Sequence, residues 1–198
     1  MTTLLIIAAV VLVVGGLAGL VALIVARRWT KALLAGGGHR LTPIRAAKMR
    51  GFVEDKAALV VTVEHTFDAT PEQVWAALDT NGLYSWLPLV NGMRYPNGDR
   101  GVGATRVFDG TLVAGVEEVV ARDEGRRIAL TATKSSVPFV MKSIAEEYVL
   151  TPTDAGATTL TWTLAVHPRF GGLLPLQIFA PLARPIARWS LRGLGTRI

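Results

Sequence analysis

The chain has 198 residues, 51% of them hydrophobic and 18% charged, enough for one domain and an appendage. It contains no cysteine, which excludes disulfides, thiolate metal sites and cysteine nucleophiles. Its formal net charge of +6 is segregated: residues 27–50 carry seven Lys or Arg and no acid, residues 51–154 carry nine basic and fifteen acidic residues (net −6), and five arginines with no acid follow Asp154.

In chain order, the first element is Leu4 to Ala26, 23 residues without a charge. As a helix it would reach ~34 Å, enough for a hydrocarbon core of roughly 30 Å. No basic residue precedes it, so it reads as a transmembrane helix and not as a signal peptide. Arg27, Arg28 and Lys31 follow directly, which predicts a single-pass protein of the cell membrane with its C-terminal side cytoplasmic. Arg40, Arg45, Lys48 and Arg50 extend this collar, suited to anionic membrane lipid. Trp29 is the only aromatic among them, so nucleic acid is not an expected partner. Gly36 to Gly38 read as a flexible joint, and Thr42-Pro43 as the start of a short amphipathic helix through Met49.

Val61, Val63, His65 and Phe67 alternate with Thr62, Glu64 and Thr66, the period of a half-buried strand. Asp68-Ala-Thr70-Pro71-Glu72 then ends it. Thr70 suits an N-cap, Pro71 the first helical position and Glu72 the positive end of the helix dipole, and Val74, Trp75 and Leu78 follow at helical spacing. After Asn81-Gly82, residues 83–89 read as a second short helix. Recurrent turn signals then separate six strand-like runs: 93–95, 104–108, 113–121, 127–133, 140–151 and 158–166. The last segment, 171–193, reads as a long helix interrupted by Pro181 and Pro185. Phe179, Leu182, Ile186 and Trp189 form one stripe, expected against the sheet, with Arg184, Arg188 and Arg192 nearly opposite, available for membrane contact.

The strand–DATPEQVW–helix opening, the Trp86-Leu-Pro88 signature and the order of elements over roughly 58–195 resemble the SRPBCC superfamily, which includes START domains, the birch-pollen allergen group and polyketide cyclases. The resemblance implies an α+β helix-grip fold: a seven-stranded antiparallel sheet, two short helices after the first strand, and a long C-terminal helix over a cavity. The resulting organisation is 1–28 transmembrane helix with flank, 29–57 basic linker and 58–198 helix-grip domain. It also implies a hydrophobic small-molecule ligand, such as a lipid, isoprenoid or polyketide-like molecule, held by a membrane-tethered carrier. A cyclase or aromatase-like enzyme, or an interaction module with a collapsed cavity, are the alternatives.

Candidate cavity residues are His65, Trp86, Tyr148, Trp162, Phe179, Leu182 and Ile186. Glu117-Glu118 and Glu146-Glu147 each put one carboxylate on each face of a strand. The apolar neighbours at i±2 select Glu118 and Glu146 as the inward members, with Arg106 a partner for one of them. His39, His65 and His167 stand apart with no partner at ligand spacing, and there is no G-x-S-x-G elbow, so no metal, cofactor or catalytic residue is predicted.

Overall fold

The computed structural model describes residues 2–170 and 176–198, with side chains from Gly15 onward. Helix α1 runs Thr2–Leu34. The side chains of Leu4 to Val14, half of the expected span, lie outside the described residues. Among the described residues no helix is long and apolar enough to cross a membrane.

After α1 the chain turns at Gly36 and Gly38, both at positive φ (96° and 93°). A Cβ on Gly38 would also meet the Leu33 side chain at 2.9 Å, so glycine is required here twice over. The stretch read as a free joint is instead fastened. Strand β1 (His39–Arg40) pairs with β6 (Arg127–Ser135), through His39↔Ser135 and Arg40↔Lys134. Beyond it the Leu41 N–H donates to the Thr133 carbonyl, and the Thr42 N–H to the Lys142 carbonyl. Residues 39–42 thus thread between β6 and β7 (Met141–Pro152) where those strands part. The expected helix from Thr42 begins later: Leu41 to Arg45 is non-helical, with Arg45 extended, and helical turns follow at Ala46–Lys48, α2 (Met49–Gly51) and Phe52–Lys56. The N–H groups of Leu41, Thr42 and Ile44 bond to the sheet strands, and tertiary pairing overrides the local cap signal.

The other strands are β2 (Leu59–Phe67), β3 (Val90–Arg94), β4 (Thr105–Gly110), β5 (Ala114–Asp123) and β8 (Thr158–Pro168), in the order β2-β8-β7-β6-β5-β4-β3. All pairings are antiparallel, and β1 makes eight strands where seven were expected. Helix α3 (Pro71–Leu78) packs with Val63, Leu130, Tyr148 and Leu160 of the inner face. Ala129, Ala145 and Ala165 on the outer face are covered by Met49 and Phe52, so the sheet is apolar on both sides.

Helix α3 starts on a full capping box: Gln73 N–H donates to Thr70 Oγ1 (3.4 Å), and Thr70 N–H donates to Gln73 Oε1 (2.9 Å). The second short helix does not form. Residues 81–89 are a run of turns around a single bridge, Leu83↔Met93. Tyr84 and Leu89 sit at positive φ (66° and 63°), which no α-helix accommodates, and Pro88 removes a donor.

The C-terminal element is a 3₁₀ turn (Leu176–Phe179) leading into α4 (Ala180–Arg192), which lies along β2. Residues 171–175, the start of the expected helix, lie outside the described residues. Pro185 lies inside α4 without ending it, and its missing N–H leaves the Pro181 carbonyl without a helical donor. The expected packing face is wrong. Ala180, Ala187, Ser190 and Leu191 face inward, while Phe179, Leu182, Ile186 and Trp189 are exposed, Leu182 by 70%. Short side chains let the helix approach the sheet closely, and the periodicity of a stripe does not say which stripe is covered. Near its end, a Cβ on Gly193 would run into the Trp86 indole. Gly193→Ala is therefore expected to expel that ring and destabilise the fold by about 1–3 kcal/mol, read as a lowered thermal midpoint.

Candidate functional site

Between the inner face and α4 lies a cavity of about 370 Å³. Phe108, Ile144, Leu164 and Val166 contribute to its apolar wall, Val113 and Met141 stand at its loop end, and Ser190 comes from α4. Its polar residues are concentrated at Glu117, Glu146 and Trp162, with Lys134 and Ser135 nearer the end of β6.

The polar pole is a buried chain centred on Arg106. This residue is 1% exposed. Its Nε donates to Glu117 Oε2 (2.9 Å), Nη2 lies 2.9 Å from the same oxygen, and Nη2 donates to Glu146 Oε2 at 3.5 Å. Tyr148 Oη donates to the same Glu146 oxygen (2.9 Å), and Tyr84 and Tyr148 share a 2.9 Å hydrogen bond. The Tyr148 ring stacks parallel to Trp162 with centroids 5.9 Å apart, and the Arg106 guanidinium lies 5.6 Å from the Tyr148 ring centre. One cation therefore faces two carboxyl groups. Burial, and then repulsion from Glu117, push the Glu146 carboxyl up to about 7, against the opposing pull of Arg106. Burial works against the charge of Arg106, yet Glu117, Tyr148 and Glu146 outweigh it and hold its pKa well above the ordinary value. Burial, then the Glu146 charge, likewise raises Tyr84 and Tyr148, so both are neutral donors.

The Trp162 indole N–H is buried and makes no hydrogen bond of proper geometry among the described residues. It lies near enough to Glu146 to favour the ionised carboxylate slightly. Geometry decides between these, and the N–H is an unpaired buried donor on a residue that lines the cavity.

Of the residues expected from sequence, Glu146 and Trp162 line the cavity, with Arg106 and Tyr148 directly behind them. Trp86 does not line it. Its indole N–H donates to the Ser190 carbonyl (3.1 Å) and pins α4 to the 81–89 turns. His65 is half-buried on β2, edge-on to Phe67, and burial followed by the Arg192 charge lowers its pKa. Phe179, Leu182 and Ile186 are on the outside of α4. Arg184, Arg188 and Arg192 are exposed on its other flank. Arg27, Arg28 and Lys31 are exposed on α1.

Glu118 is exposed and Glu117 takes the inward place. The pairing runs Val116↔Lys134 and then Glu117↔Ala132, so a bulge at Thr133 interrupts the register. Val120 is apolar because it packs on the covered outer side, and with Val116 it misdirected the parity argument. Tyr84 was also missed: its left-handed backbone in the turn after α3 carries its hydroxyl to Tyr148, and no periodicity signals that. Among the described residues no group of three His, Asp or Glu could hold a metal ion.

A curled antiparallel sheet that grips a C-terminal helix around an internal cavity defines a helix-grip ligand-binding fold. The sequence model of the family described as "Polyketide cyclase / dehydrase and lipid transport" matches residues 58–198, and the chain belongs to that family. None of the curated proteins matches the chain. Solved structures with a similar fold include Ara h 8.0201 (TM-score 0.54, 14% identity, 69% of this chain and 96% of that one). A START superfamily protein from Mycobacterium smegmatis matches at TM-score 0.54 and 16% identity, covering 70% and 96%. A protein from Thermus thermophilus matches at TM-score 0.53 and 19% identity, covering 70% and 95%. At such identities the likeness concerns the fold.

Proposed function

We propose that this protein binds a hydrophobic small molecule in the cavity, with a hydrogen-bonding group of the ligand set against Trp162 and Glu146. The carrying observation is an apolar space of ligand size closed at one side by a buried polar pole that retains an unused indole donor. A collapsed interaction module would have filled that space. A lipid, an isoprenoid or a polyketide-like molecule has the required apolar body and single polar end. We further read the charge-free Leu4 to Ala26 as a membrane span, with the globular domain on the cytoplasmic side as the Arg27, Arg28 and Lys31 flank indicates. Membrane lipid is then the nearest source of ligand, and the protein is a tethered carrier or sensor.

One observation favours an enzyme as second reading. A carboxyl group titrating at about 7 beside an apolar cavity can hold or release a proton at neutral pH, as cyclisation or dehydration of a bound polyketide-like chain would need. Binding is common to both readings and is tested first. Native mass spectrometry of the full-length chain, released from detergent, is expected to show a non-covalent hydrophobic adduct. Ile144→Trp, which fills the cavity, should abolish the adduct and the uptake of a fluorescent fatty acid. An empty wild-type protein that takes up no such probe would overturn the binding function.

A further inference from the structure

We infer that the loop end of the sheet is a lipid-docking surface that sets the cavity mouth directly on a bilayer. The topology gathers four tips at this end. Leu89 precedes β3, and its carbonyl accepts from Thr111 N–H in the β4–β5 turn (2.7 Å). That turn continues to Val113 and Ala114, and the Ala114 carbonyl accepts from Ser136 N–H at the end of β6 (2.9 Å). The β6–β7 loop carries Phe139 and Val140, and the Val140 carbonyl accepts from Arg169 N–H beyond β8 (2.9 Å), next to Phe170. Leu89, Val113, Phe139, Val140 and Phe170 are all exposed, Phe139 by 64% and Phe170 by 69%. The turns at the opposite end, Asp99–Gly101, Asp123–Gly125 and Thr153–Gly156, are polar, with Val102 an isolated exception.

The backbone holds two of these tips out at a cost. Leu89 and Phe139 both occupy left-handed conformations (φ 63° and 60°), an unfavourable place for large apolar residues when glycine or asparagine would fit. Val113 also belongs to the cavity lining, as does Met141 next to Val140, so the tips form the rim of the ligand space.

A bilayer is the occupant that matches. Arg40, Lys142 and Arg169 are exposed among the tips, outside any ion pair among the described residues. Asp109, in the β4–β5 hairpin, receives a hydrogen bond from Asn91 (2.9 Å). Apolar tips with basic residues around them suit acyl boundary and anionic headgroup respectively. The N-terminal helix also joins the domain at this end. Leu33 is buried, Lys134 Nζ donates to the Gly36 carbonyl (2.9 Å), and β1 enters the sheet beside Ser135. A stiff junction, in place of a free linker, holds the rim near wherever α1 is anchored. The orientation of the domain rests on the tether reading above; the docking rests on the tips. Ligand then passes between membrane and cavity through the rim without crossing water.

The absence of native cysteine allows a direct test in the full chain. Val113→Cys, Phe139→Cys and, at the opposite end, Asp154→Cys each carry one nitroxide in phosphatidylcholine–phosphatidylglycerol vesicles. Relaxation by oxygen, concentrated in the bilayer, is expected to dominate at Val113 and Phe139, and relaxation by a water-soluble nickel complex at Asp154. Equal, water-like access at all three sites overturns the docking. So does spin–spin broadening at the two tips, which would make this end the interface with a second copy. Alkaline carbonate washing of the same vesicles tests the tether separately. Chain that stays in the membrane with its tips in water leaves the span and removes the docking surface. Chain that is stripped by carbonate, yet whose tips lie in the bilayer beforehand, leaves the docking and removes the span.

Discussion

Arg106→Met is expected to be the most damaging single substitution in the domain. The methionine fills much of the volume but removes the cation that faces Glu117 and Glu146, both of which remain shielded from solvent. Breaking a buried ion pair from one side costs about 3–5 kcal/mol, because the cost of burying the remaining charge is no longer offset. For a chain of this size that lowers the thermal midpoint on the order of 10 °C. The loss should be smaller at acidic pH, where the stranded carboxyls can take up protons. Combining the substitution with Glu117→Gln and Glu146→Gln should return most of the stability, since a neutral polar set needs no counter-charge. If Arg106→Met melts within a degree or two of wild type at neutral pH, the pole is not the closed network described.

The second large effect is a fall in stability with rising pH that belongs to Glu146. Its carboxyl titrates at about 7 in the folded protein, against an ordinary 4.5. The folded state thus holds the proton more tightly than the unfolded chain. Below the ordinary value both states are protonated and the group is silent. Between there and about 7 the folded state alone keeps its proton, so stability declines as pH rises, and above 7 the full cost is present, on the order of 3 kcal/mol. Glu146→Gln keeps an oxygen for the Tyr148 hydroxyl and removes the ionisation. It should therefore be neutral at pH ~4 and stabilising at pH ~8, read from urea midpoints across that range. A variant that is destabilised equally at both pH values would show that the carboxyl is needed ionised, as a second partner of Arg106.

The buried pole was only half legible beforehand. Alternation along strands points to Glu146, Tyr148 and Trp162, where the β7–β8 register is regular, and Arg106 enters only as a charge partner for a carboxylate. Tyr148↔Trp162 and Glu146↔Leu164 follow an unbroken ladder between β7 and β8, so counting by twos works there. On β5 the alternation also holds, but Val120 packs on the covered outer side, so apolar neighbours of Glu118 pointed to the wrong face.

What the sequence by itself determined is therefore local and periodic. The Thr70-Pro71 handover from strand to helix rests on a cap, a ring-locked φ and a reciprocal hydrogen bond three residues away. The strand succession rests on alternation and turn residues, and with the opening motif it was enough to place the chain among helix-grip proteins. Only the tertiary structure decided which stripe of α4 is covered, that residues 39–42 pair between β6 and β7, and that Glu117 enters the core in place of Glu118. Each of these depends on what lies opposite a residue once distant segments meet. An apolar period states that a face can be buried, and a free strand edge states that it can be paired. The partner that buries or pairs it is supplied by chain tens of residues away, so no local pattern encodes the choice.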